Sequence, residues 1–142
     1  MLRSRWTHKD VRLPADLCER LGQRFARDVF EAALSVEPDN VEALVALGAI
    51  YTKEGRFERG LEVDLRLVRM RPRESLFHYN LACSHSLLGH LDPAFAALQR
   101  AVQLGYDNSE HLEGDVDLAN LRGDVRYTEI LRRIRTLQSN SP

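Results

Sequence analysis

The chain has 142 residues, 44% of them hydrophobic and 29% charged, with a formal net charge of -1. A chain of that length is the size of one domain and buries roughly two-thirds of its unfolded surface, enough for an ordinary core without staples. So even a charge balance gives no long-range field to gather nucleic acid or a membrane surface, and any such contact would have to be local.

Residues 1–14 form a basic stretch with Arg3, Arg5, Lys9 and Arg12. They contain no apolar run long enough for a signal peptide or a membrane span, and Asp10 with the lack of an amphipathic face argues against a transit peptide. A flexible arm is expected. Cys18 and Cys83 fall inside helical patterns without metal-ligand spacing, which reads as reduced thiols in a cytoplasmic protein.

Beyond the arm the chain resembles itself at an offset of 34 residues. Pro38 recurs as Pro72, Leu47 as Leu81 and Gly55 as Gly89, and side-chain character is kept through Ala26, Gly60, Ala94 and through Leu34, Val68, Val102. A period of this size is the mark of stacked helical hairpins. Residues 15–38 read as a half repeat, one long helix over 15–36 closed by Pro38. Residues 41–72 read as a full repeat. Its first helix shows Leu44, Leu47, Ile50 and Tyr51 on one face, Gly55 ends it as a C-cap, and its second helix turns Phe57, Leu61, Leu65 and Val68 inward. Residues 75–106 repeat the pattern around Gly89 and close at Gly105. Asn40, Ser75 and Ser109 are expected N-caps, because their oxygens can accept from first-turn amides. After Tyr106 the period is expected to break. Residues 108–137 read as a capping region, an acidic stretch followed by a helix with Tyr127, Ile130, Leu131 and Ile134 in one stripe. Residues 138–142 read as a disordered tail.

Leu44, Leu47, Gly48, Tyr51, Gly60 and Pro72 in the first full unit resemble the tetratricopeptide pattern. The second unit keeps Leu81, Ala82, Ala94, Leu98 and Ala101 but puts His78 and His85 at the large and Tyr positions, and Asp64 stands where the family favours an aromatic. The resemblance implies an all-α fold, a right-handed α-solenoid of antiparallel helix pairs, and a non-catalytic adaptor without cofactor whose partner is another protein.

Chemistry elsewhere is thin. His78, Cys83, His85 and His90 lie close in sequence, yet spacings of seven and two do not place them on one helical face, so no metal site is expected. Asp115, Asp117 and Asn120 lack the Gly and Glu that a calcium loop needs at its sixth and twelfth positions. No phosphate loop, dinucleotide fingerprint or nucleophile motif is present, which argues against an enzyme. A stripe of Arg56, Arg59, Arg66, Arg69 and Arg73 would suit RNA or another polyanion, but Glu58 and Glu62 interrupt it and no aromatic platform accompanies it. Neither nucleic acid nor a membrane is the expected partner, and self-association is left open.

In the resembling family the first helix of each unit lines an inner groove. The residues here that map to it are Val45, Ala49 and Lys53, then Leu76, Tyr79, Asn80, Cys83 and Leu87. One mode of that family grips a C-terminal carboxylate with a lysine and asparagines. Of that set only Asn80 is present, with Val45 and Ala49 in the places of the lysine and first asparagine. The resemblance therefore implies an internal peptide or amphipathic helix as ligand, with Val45, Tyr79 and Leu87 as apolar contacts and Asn80 pairing with backbone. The alternative function is a small secretion- or assembly-type chaperone.

Overall fold

Glycine and proline punctuation divides the chain into short helices, and hydrophobic periodicity decides which face of each is buried. The computed structural model describes residues 22–142. The expected basic arm, Cys18 and the first part of the half repeat lie outside the described residues.

The elements in order are α1 (Gln23–Val36), α2 (Val41–Lys53), α3 (Phe57–Met70), α4 (Ser75–Leu87), α5 (Leu91–Gln103), α6 (Ser109–Gly114), a 3-10 helix (Val116–Leu121) and α7 (Val125–Ser139). No strand occurs among the described residues. The fold is an all-α solenoid of the tetratricopeptide type, in which α1 packs on α2, α2 on α3, α3 on α4 and α4 on α5.

Neighbouring helices run antiparallel. At the junction of α1 and α2, Gln23 Nε2 donates to the Ile50 carbonyl at 3.4 Å and Arg27 Nη1 donates to Glu54 Oε2 at 2.8 Å, so the start of α1 lies against the end of α2. Gly55 and Gly89 make the hairpin turns at φ 72° and 74°, a conformation that a Cβ would oppose. Past each, the chain folds back so that Arg56 N donates to the Tyr51 carbonyl and His90 N to the His85 carbonyl, at 2.8 and 2.9 Å.

Two apolar clusters meet at α3. One gathers Ala26, Phe30, Leu44, Leu47, Ile50 and Leu67, the other Leu81, Phe95, Leu98, Leu112, Leu118 and Ile134, and Val68 touches both. The central helix α4 is buried nearly all round, which obliges its polar groups to find partners inside. His78 Nε2 donates to the Pro72 carbonyl at 2.8 Å, and Ser84 Oγ donates to Asp64 Oδ2 at 2.5 Å.

Four sequence expectations need correction. The helix expected over 15–36 cannot run through Gly22, whose φ is 76°, so α1 starts at Gln23. Asn40 caps α2 as expected, but Ser75 and Ser109 are the first helical residues rather than caps. Asn108 caps α6 instead, accepting from His111 N at 3.0 Å. The architectural period also continues past Tyr106: α2, α4 and α6 begin at 41, 75 and 109, and α3, α5 and α7 at 57, 91 and 125, each 34 apart. What breaks is the side-chain phase, because Asp115 at the third unit's core position splits its first helix in two by capping the 3-10 helix through Asp117 N. Finally, α7 runs on to Ser139, held by Gln138, which donates to the Asp107 carbonyl and accepts from Ser109 Oγ.

Candidate cleft on the inner face

Stacking two hairpins places the first helices of successive units side by side, and a cleft of about 350 Å³ opens along α2 and α4. Its apolar side is Val45, Ala49 and Leu67, its floor is Gly48 and Asp64 from the α2–α3 hairpin, and Lys53 stands exposed in its wall. From α4 come Asn80, Cys83 and Ser84. The third unit closes the far side with His111, Asp115 and Asp117.

Six of the eight groove residues expected from sequence therefore line one cleft: Val45, Ala49, Lys53, Tyr79, Asn80 and Cys83. Leu76 and Leu87 do not. Leu76 is exposed on the first turn of α4, and Leu87 at its last turn is half-buried away from the cleft.

Tyr79 is not the open apolar contact expected of it. It is only 2% exposed, its ring stacks on Tyr106 with centroids 4.4 Å apart and planes 16° off parallel, and His111 lies tilted at 5.4 Å. Its hydroxyl donates to Asp115 Oδ2 at 2.7 Å, so the chain itself has taken both the ring and its polar handle. Cys83 Sγ also lies 3.7 Å from Asp115 Oδ2, and burial followed by the Asp115 charge pushes its thiol up. Asn80 remains half-buried in the wall and makes no hydrogen bond to the described residues, so both ends of its amide are open to a ligand.

Sequence reasoning missed the contribution of α3. Asp64 is 6% exposed, and burial raises its carboxyl to about 6 against the lowering pull of the Ser84 hydrogen bond. A charged residue at a core position of an amphipathic helix was the available signal.

The tetratricopeptide repeat family model matches residues 77–105, which spans most of α4 and all of α5. The chain is a tetratricopeptide-repeat protein. It is 28% identical over 89 residues to a chloroplastic protein of Arabidopsis thaliana, covering 61% of this chain and 27% of that protein. Against the Peroxisomal targeting signal receptor of Saccharomyces cerevisiae it is 30% identical over 108 residues, 75% of this chain and 18% of the receptor. The chain thus spans a minor part of the curated relatives it matches. In three dimensions it is similar to MamA from Desulfovibrio magneticus RS-1, with a TM-score of 0.69 and 23% identity over 88% of this chain and 72% of that one. A further MamA crystal structure gives a TM-score of 0.72 at 19% identity over 91% of this chain and 77% of that one.

On the outer side of this repeat protein the arginine stripe is largely spent on local pairs. Arg56 Nε lies 3.2 Å from Glu54, Arg59 Nη1 3.6 Å from Glu62 and Arg66 Nη2 3.9 Å from Asp39. Only Arg69 and Arg73 of the five make no ion pair with described residues. No group of three or more candidate metal ligands occurs among the described residues, and none of their helices is long and apolar enough to cross a membrane.

Proposed function

We propose that the chain is a non-catalytic adaptor that holds an extended segment of another protein in the cleft between α2, α4 and the third unit. The observation that carries this reading is the cleft's composition. Val45 and Ala49 offer an apolar shelf beside the Asn80 amide, which is unpaired among the described residues, the combination that recognises side chains and backbone of an extended peptide together. At about 350 Å³ it has room for a few side chains of the bound segment. The similarity to a targeting-signal receptor supports a peptide ligand. The free, buried Cys83 thiol supports a reducing, cytoplasmic setting.

The test is a comparative pull-down from native host lysate with the wild-type chain, Ala49→Phe, which fills the shelf, and Asn80→Ala. A partner held by the wild type and lost from both variants is expected. A partner retained equally by all three would place binding elsewhere. If that partner instead followed an Arg69→Ala/Arg73→Ala variant and fell steeply with salt, the polyanion reading would replace this one. A partner that is insoluble without this chain would favour a chaperone role for the same cleft.

A further inference from the structure

One end of the cleft carries carboxylate charge that the described residues do not fully pair. Asp64, Asp115 and Asp117 all line it, and they converge on Cys83, whose thiol feels the fields of all three. Asp115 is engaged with Tyr79, Cys83 and the Asp117 amide. Asp64 is engaged on one side only. Its Oδ2 accepts from Ser84, while its Oδ1 faces Gly48 in the cleft floor, 3.5 Å from where a Cβ would stand, and accepts nothing from the described residues. The Asp117 carboxylate likewise accepts from no donor among the described residues, and burial with the neighbouring Asp115 raises its pKa.

The cations nearby do not fill this gap. Lys53 is exposed and forms no ion pair with described residues, and His111 Nε2 sits 3.7 Å from Asp115, not from Asp64 or Asp117. A carboxylate that is 6% exposed and has no cationic partner among the described residues opposes folding at neutral pH. Such a group fits a site where the ligand brings the missing charge.

We propose that this end of the cleft receives a lysine or arginine side chain from the bound segment, its head donating to Asp64 Oδ1 and Asp117. Neighbouring apolar side chains of the segment then lie on Val45 and Ala49. This rests on the reading of the cleft as the peptide groove and names the residue class that the groove selects. A carboxylate-terminated ligand would instead meet three like charges.

The test is selection of random twelve-residue peptides displayed on phage against the full chain, against Ala49→Phe and against Asp64→Asn/Asp117→Asn, each first shown to be helical by circular dichroism. Asp117→Asn alone serves if the double variant does not fold. Wild-type selection is expected to enrich a lysine or arginine at one fixed position, and its replacement by norleucine should weaken binding tenfold or more. On the aspartate variant that replacement should change little. Peptides that Ala49→Phe abolishes but that show no cationic preference would overturn this inference and leave the groove standing. Peptides indifferent to Ala49→Phe, or no enrichment at all, would overturn both.

Discussion

The Asp64 carboxylate of α3 and the Ser84 hydroxyl of α4 meet across the boundary between two repeats, Oγ to Oδ2 2.5 Å apart and both residues buried. One neutral donor does not offset the loss of water around a charge, which is why the folded carboxyl stays protonated to higher pH than an ordinary one. The folded chain therefore holds this proton more tightly than the unfolded chain. The associated stability is complete below pH about 4 and is lost as pH rises to about 6, a change of about 3 kcal/mol for a shift of about two units. Asp64→Asn keeps the shape and the Ser84 bond without the charge. It should be more stable than the wild type at pH 7.5 and lack the decline between pH 4 and 6 in urea titrations. A variant less stable than the wild type at pH 7.5 would show that an unrecognised donor serves Asp64.

Tyr79 bonds the second repeat to the third. Tyr79→Phe keeps the stack on Tyr106 and removes the bond to Asp115, which as a charge-assisted pair is worth about 1.5 to 3 kcal/mol. Tyr79→Ala also leaves a large cavity and should lose about 3 to 5 kcal/mol. Chemical denaturation should rank the two in that order. Equal, negligible losses would mean that the third unit is not docked on this ring.

Gly48 lies in the core of the α2–α3 hairpin, where an added Cβ would stand 3.5 Å from both Asp64 Oδ1 and Val63 Cγ1. A single methyl fits at ordinary contact, so Gly48→Ala should be tolerated. Gly48→Leu must displace those neighbours and should lose about 1 to 3 kcal/mol. Thermal melts that fail to separate Ala from Leu at this position would contradict the packing.

Gly55 is strained for any other residue by conformation alone, since nothing lies within 4 Å of an added Cβ and its φ is 72°. Gly55→Ala should lose about 1 to 2 kcal/mol, and Gly55→Asn less, because asparagine tolerates left-handed backbone better. Identical melting of both variants and the wild type would show that the turn relaxes.

Cys83 is pushed up mainly by burial and then by the charges of Asp115 and Asp117. Since the thiolate is the reactive form, iodoacetamide at pH 8 should label Cys83 far more slowly in the folded chain than in urea. Mass spectrometry after timed labelling reads this directly. Rapid native labelling would place the thiol in open solvent.

The sequence by itself determined the repeat, the helix-hairpin unit and six of the cleft's lining positions. These depend on properties that repeat locally: the 34-residue offset, the three-and-four spacing of Leu44, Leu47 and Ile50, and glycines such as Gly55 and Gly89 where the chain must reverse. A helical face can be read from one segment because its period is fixed by backbone geometry. Only the tertiary structure decided what each groove residue meets. Tyr79 was legible as an inner-face aromatic, but its use depends on Tyr106 and Asp115, which lie 27 and 36 positions later and follow no shared period with it. Asp64 was legible as an anomaly in its own helix. That it forms the anionic floor of the cleft depends on how α3 docks between α2 and α4, a matter of side-chain packing between segments that no single segment encodes.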